Sequence, residues 1–232
     1  MSRASFDRQL AELQDEMLTL GKMVDRAIDQ SIQALRNRDN ELARRLIHDD
    51  LEINSKRFGI EERCLQLIAR QQPLASDLRV LAAILSIITD MERMADHAEG
   101  IGKICLRHGD EPLLKPLIDI PRMAEKSRQM LARSLDSFIT RDVELAKAIS
   151  AQDDEIDALY NQIYHELLTF MIEDPRTIQR ATFLIWAAHN LERIADHITN
   201  ICERVVFLVT GRMEEFNVSK EEGNGESVSS LG

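Results

Sequence analysis

Apolar side chains return every three or four residues from residue 6 to residue 35: Leu10, Leu13, Met17, Leu20, Val24, Ile28, Ile32 and Leu35. That spacing marks one face of a long helix. Asn37-Arg38-Asp39-Asn40 interrupts it, and Asp39 is placed to cap a second helix reaching about Ala69. Pro73 stops that helix, and a third runs to about Arg107 before His108-Gly109-Asp110-Glu111-Pro112 closes the half. The remaining chain repeats the plan, with helices over 118–139 and 142–172, a break at Glu173-Asp174-Pro175, and a last helix to about Val209. Six long helices with short connections predict an all-α protein, a tandem pair of antiparallel three-helix bundles. Residues 1–110 form the first bundle and 111–212 the second. Residues 213–232, rich in Gly, Ser and Glu, read as a disordered tail.

Composition narrows the class without changing that picture. Nine Gly and five Pro in 232 residues are too few for the turns of an all-β or α/β fold. Aromatic residues are 4% of the chain, which leaves the core to Leu, Ile, Ala and Met. The net charge of −11 disfavours nucleic acid as a partner and favours cations or basic surfaces. Cys64, Cys105 and Cys202 are odd in number and sit in apolar helical patterns, as reduced core thiols do. The N-terminus lacks the apolar stretch of a signal peptide, and no run of eighteen apolar residues predicts a membrane span. A soluble cytoplasmic protein is expected.

The candidate chemistry lies in a repeat. Glu92-Arg93-Met94-Ala95-Asp96-His97 recurs one hundred residues on as Glu192-Arg193-Ile194-Ala195-Asp196-His197. Residues four apart share a helix face, so each copy sets two acids together, which repel unless a positive group lies between them. An arginine or a metal ion would serve. Folding back at Pro73 brings Asp50 and Asn54 to the height of Asp96 and Glu92, and folding back near Pro175 brings Asp153 and Asp157 to Asp196 and Glu192. Glu99, Asn200 and Glu203 extend the stripes. Such oxygen clusters suit Mg²⁺, Mn²⁺, Ca²⁺ or iron, not zinc. His97 and His197 sit beside the acids as orienting or packing groups. The Glu-x-x-His pairs of a ferritin-like di-iron oxidase do not occur, and neither does a phosphate-cradling Gly-rich loop, a nucleophile elbow or a Cys-x-x-Cys. His48, His108, His165 and His189 read as surface or boundary residues, and Trp186 as core with an interface role open. No enzyme is expected. A metal-dependent phosphoester or polyphosphate hydrolase is the competing class, and a structural bundle with incidental acid stripes is the third.

Three stretches resemble the PhoU family of bacterial phosphate-signalling regulators. They are Ala69-Arg-Gln-Gln-Pro-Leu-Ala-Ser-Asp-Leu-Arg79, Asp90-Met-Glu-Arg-Met-Ala-Asp-His97 and Asn190-Leu-Glu-Arg-Ile-Ala-Asp-His197, within a likeness spanning residues 5–212. The resemblance implies tandem three-helix bundles, commonly dimeric, that hold multinuclear metal clusters of Fe, Mn or Mg. The positions carried over are Glu92 with Asp96, Asp50 with Asn54, Glu192 with Asp196, and Asp153 with Asp157. Asn54 departs from the acid the pattern prefers. The resemblance also implies a negative regulator of phosphate uptake and of the phosphate regulon. Its expected partners are the ATPase subunit of a phosphate ABC transporter and a sensor histidine kinase.

Overall fold

The computed structural model describes residues 3–109 and 111–216. The first bundle comprises α1 (Arg3–Asn37), α2 (Asn40–Gln71) and α3 (Ala75–His108); the second comprises α4 (Asp119–Thr140), α5 (Val143–Ser150), α6 (Asp153–Glu173) and α7 (Ile178–Thr210). The six rods expected from the periodicity are present, with the fifth divided into α5 and α6.

Local chemistry sets the ends of the rods. Asp39 accepts hydrogen bonds from the backbone amides of Glu41 and Leu42, and Asp142 accepts from Leu145, so each bundle starts its second rod on an aspartate cap. Gln72 takes a left-handed conformation (φ 45°) to end α2 before Pro73. On the second-bundle side, Pro175 opens a short 3₁₀ turn, Pro175–Thr177, that leads into α7.

The division of the fifth rod has a readable cause. Gln152 bonds back to Ile149, three residues away, which tightens the backbone there. Asp153, Asp154 and Glu155 then occupy a new first turn, where the positive end of the helix dipole favours acids. In the first bundle the matching stretch continues unbroken through α2.

The two bundles share one apolar core, built from Leu20, Ile28, Met91, Ile101, Met130, Leu135, Ile194 and Ile201 among others. Two pairs of rods join them: α3 against α7, and α1 against α4. At the α1–α4 contact a Cβ on Gly21 would stand 2.4 Å from Leu135 Cδ1, so any larger residue there would force the Leu135 side chain to move. Arg128 spans the same contact, donating from Nε to Asp25 at 2.8 Å and from Nη1 to Asp29 at 2.9 Å.

Residues 213–216, expected as the start of the tail, fold back on α7. The Phe216 amide donates to Glu203 Oε1 at 3.0 Å, and the Phe216 ring packs on the core. The rest of the expected tail, 217–232, lies outside the described residues. No described helix is long and apolar enough to cross a membrane.

Candidate metal centres on either side of a two-fold seam

In the first bundle, α2 and α3 place Asp50 beside the acids of the repeat. Asp50 is half-buried, and its carboxyl is pushed up to about 6, first by loss of solvent and then by the charges of Asp96, Glu99 and Glu92. Mutual electrostatic influence of this kind requires the four acids to lie close together. Asn54 donates to Asp50 Oδ2 at 2.8 Å, while Asp50 Oδ1 is buried without a hydrogen bond. Asn54 thus steadies Asp50 and brings no further charge to the cluster. A small cavity of ≈ 70 Å³, lined in part by Asp50, Glu99, Arg26 and Gln30, opens next to it.

The second bundle is built differently at the matching places. Asp153, the first residue of α6, is 1% exposed and close enough to Cys202 on α7 to add, after burial and Glu203, to the raising of that thiol. Glu192 lies 3.2 Å from His189 Nδ1 and near the Tyr160 hydroxyl, whose proton it helps to retain after burial has done most of that work. Where the first cluster has Glu99, the second has Thr199, fully buried with no hydrogen bond on its hydroxyl.

In the first copy of the repeat the arginine lies between the acids, whereas in the second it pairs with Asp196 while Glu192 faces His189. Arg93 Nη1 meets Asp96 at 3.2 Å and its Nε meets Glu92 at 3.5 Å; Arg193 Nη1 meets Asp196 at 2.6 Å. Both arginines are about half exposed, and such surface pairs hold by no more than about 1 kcal/mol. Displacing them would therefore cost a competing cation little. Among the described residues, no three or more His, Cys, Asp or Glu converge on one point in the arrangement of a formed metal site. The donors that approach one another are nonetheless hard oxygens, and the unpartnered Asp50 Oδ1 is the kind of atom a cation would satisfy.

The histidines of the repeat turn away from the acids and toward the other bundle. His97 Nδ1 lies 2.9 Å from Asn190 Oδ1, and His197 Nδ1 lies 3.0 Å from Asp90 Oδ1. Asp90 and Asn190 occupy matching positions, two residues before each repeat, so the two contacts are related by an approximate two-fold axis. The imidazoles flank that axis with ring centroids 5.7 Å apart. Asn200 adds a bond to Asp90 at 3.1 Å. A Cβ on Gly100, the counterpart of Asn200, would stand 3.0 Å from Asn190 Oδ1, so glycine leaves room for the His97 contact. Burial lowers the proton affinity of His97 further than the Asn190 bond restores it. Sequence reasoning gave no role to Asp90 or Asn190, although their matched placement before each repeat was the available signal.

Two side chains sit elsewhere than expected. Trp186 is 45% exposed, because it lies on the outward face of α7 beside Phe183. His108 is buried against the Phe183 ring with neither ring nitrogen hydrogen-bonded. The three cysteines are buried as expected, and burial raises Cys64 to about 12, Cys105 to about 11 and Cys202 to about 12.

The family described as the PhoU domain matches residues 17–105 and again 120–205, one match per bundle. A phosphate-specific transport system accessory protein PhoU homolog of Aquifex aeolicus is 39% identical over 93% of this chain and 98% of its own length. The PhoU accessory protein of Escherichia coli is 33% identical over 89% of this chain and 86% of its own. Among solved structures, the phosphate transport system regulatory protein PhoU from Streptococcus pneumoniae superposes with a TM-score of 0.85 at 34% identity, covering 91% of this chain and all of that one. The chain belongs to the PhoU family.

Proposed function

We propose that this PhoU-family chain is a non-enzymatic negative regulator of phosphate uptake, a helical adaptor whose shape is held by cations bound on each bundle. The reading assigns it a place between a phosphate ABC transporter, through the ATPase subunit, and a phosphate-sensing histidine kinase. Support for the regulatory part comes from the names borne by its relatives, which are accessory and regulatory proteins of phosphate transport. The observation that carries the metal part is the set of three acids that repel Asp50, one of whose own oxygens is buried without a partner.

In the first bundle Glu92, Asp96 and Asp50 would hold the ion, with Asn54 steadying Asp50. In the second, Glu192, Asp196, Asp153 and Asp157 would do so. A bound Fe, Mn or Mg ion would offset the carboxylate repulsion and tie the second rod of each bundle to its third. The protein's own part is structural. The α2–α3 and α6–α7 pairs present the oxygens, and the His97 and His197 contacts keep the two bundles in fixed relation.

The test has two independent arms. Purified chain should carry Fe, Mn or Mg by elemental analysis and lose it in Asp96→Ala/Asp196→Ala; unchanged metal content rejects the site. Deleting the gene should raise phosphate-starvation gene expression in phosphate-rich medium, and unaltered expression rejects the regulatory role whatever the metal result. Steady turnover on a phosphoester or polyphosphate panel with added Mn²⁺ would favour the hydrolase reading instead.

A further inference from the structure

Tryptophan and tyrosine are scarce in this protein, and they are gathered in one place. The one Trp and both Tyr lie on the α6–α7 hairpin. Tyr160 stands 6.0 Å from His189 across the hairpin and 6.3 Å from Tyr164 on its own helix, ring centroid to ring centroid. Tyr164 on α6 and Trp186 on α7 each follow one turn closer to the tip, 37% and 45% exposed. The Trp186 ring is backed by Phe183 at 6.1 Å. Beyond them, at the tip of the hairpin, Ile172 and Ile178 stand 81% and 49% exposed.

The first bundle fills the same positions with polar groups. By the correspondence that matches Asp50 with Asp153, Tyr160 and Tyr164 answer to Arg57 and Glu61, which close an ion pair of 2.7 Å along their helix. In the hundred-residue repeat Trp186 and His189 answer to Ser86 and Thr89, whose hydroxyls donate to carbonyls of their own helix. Those four groups are content in water with no partner. Rings left in water at the matching places gain by being covered, and aromatic side chains are what protein contacts concentrate.

The charges around this face select what covers it. At its inner end Glu192 lies 3.2 Å from His189, with Asp196 one turn on, and Glu173 is exposed at the tip. Arg193 and Arg176, at the same two ends, are already held by Asp196 at 2.6 Å and by Asp174 at 2.9 Å. The chain as a whole carries −11, which attracts basic segments and repels nucleic acid and anionic lipid.

We propose that the aromatic face of α6–α7 docks an arginine-bearing segment of another protein, its guanidinium groups lying on the rings of Tyr160, Tyr164 and Trp186. A guanidinium is planar, always charged and weakly hydrated, so it stacks on an aromatic face where a carboxylate is repelled. Trp, Tyr and Arg are also the side chains that carry most of the energy of protein contacts. The acids at the two ends steer the segment in, and the rings hold it. The inference deepens the adaptor reading by naming one docking face and the chemistry it takes. It does not depend on metal, because the rings and not the candidate ligands make the contact.

Trp186 is the only tryptophan of the chain, so its emission reports on this face without a label. The full chain is titrated with a synthetic peptide of alternating Arg and Leu, free of aromatic residues, and with the same peptide carrying Glu for Arg. The Arg peptide should shift the emission to the blue and shield it from acrylamide, saturably, and the Glu peptide should do neither. Tyr164→Ser should weaken the Arg peptide about tenfold in Kd, whereas Tyr164→Phe should keep it, since stacking uses the ring and not the hydroxyl. Helical circular dichroism and melting should stay unchanged in both variants, because Tyr164 lies at the surface. Unchanged affinity in Tyr164→Ser overturns the proposal: that variant alters no charge, so the attraction would be net charge alone. No response up to about 1 mM Arg peptide, weaker than any useful contact, overturns it, as does equal binding of the Glu peptide. A blue shift with phosphatidylcholine–phosphatidylglycerol vesicles, or emission of the free chain that reddens on dilution, overturns it by assigning the face to a membrane or to a second copy. Each of these failures leaves the gene-deletion result standing, so the face and the regulatory role are tested apart.

Discussion

The two acid clusters follow one plan but set their leading aspartates in different backbone surroundings. In the first, Asp50 sits in the middle of an unbroken helix, faces Asp96, Glu99 and Glu92, and keeps its proton to about pH 6. In the second, the rod is divided just before Asp153, which places that aspartate at a helix N-terminus with the dipole to stabilise its charge. Thr199 stands where Glu99 would have added repulsion. A duplicated motif therefore does not mean duplicated electrostatics. The backbone around one residue decides whether a buried carboxylate sits mid-helix among like charges or at the first turn of a helix.

Several measurements would sharpen or break that contrast. The largest effect concerns metal: Asp196→Ala should remove about half of the bound metal and leave the first cluster loaded, with Asp96→Ala doing the reverse, because each cluster supplies its own ligands. Loss of all metal from either single variant would show one shared centre. Next, Asp153→Ala should destabilise metal-free protein by about 2 kcal/mol in urea unfolding, through loss of its helix-terminal charge interaction and of packing at a fully buried position.

Asp50→Asn should act with the opposite sign. The folded chain keeps the Asp50 proton to about pH 6, whereas the unfolded chain releases it near pH 4. Between those values the folded state binds more protons, so stability falls as pH rises through the window. Solvent screening of this half-buried group limits the penalty to about 1 kcal/mol. Metal-free Asp50→Asn should thus gain about that much at pH 8 and nothing at pH 4. Equal signs for Asp50→Asn and Asp153→Ala would dissolve the distinction between the clusters. The smallest effect expected is at the seam. A double-mutant cycle of His97→Ala with Asn190→Ala should give a coupling of about 0.5–1 kcal/mol, the ordinary net worth of one partly buried hydrogen bond.

Much of this architecture was legible from periodicity alone. The rods, the aspartate cap at Asp39, and the turns at Pro73 and Pro175 depend on neighbours within a few residues, where local chemistry dominates. The approach of Asp50 to Asp96 followed from counting back across one hairpin. Even the division at Ala151–Gln152 had a local sign, the run of acids from Asp153 to Glu155 that suits a helix start.

Other features could not be read so directly. Spacing at three and four residues marks an apolar line without saying which side of a rod faces the core, so the sequence gives no sign that Trp186 is exposed. His108 carries no pattern that announces its burial. The pairing of His97 with Asn190 and of His197 with Asp90 arises from side chains roughly a hundred residues apart, and only the docking of α3 on α7 brings them together. Sequence by itself determined the helices, their order, the doubling and the supply of acids, because these rest on short-range sterics and on the types of residue present. Tertiary structure alone decided which histidines bridge the bundles and which apolar side chains are left uncovered, because those outcomes depend on how rods rotate and pack at distances no local pattern encodes.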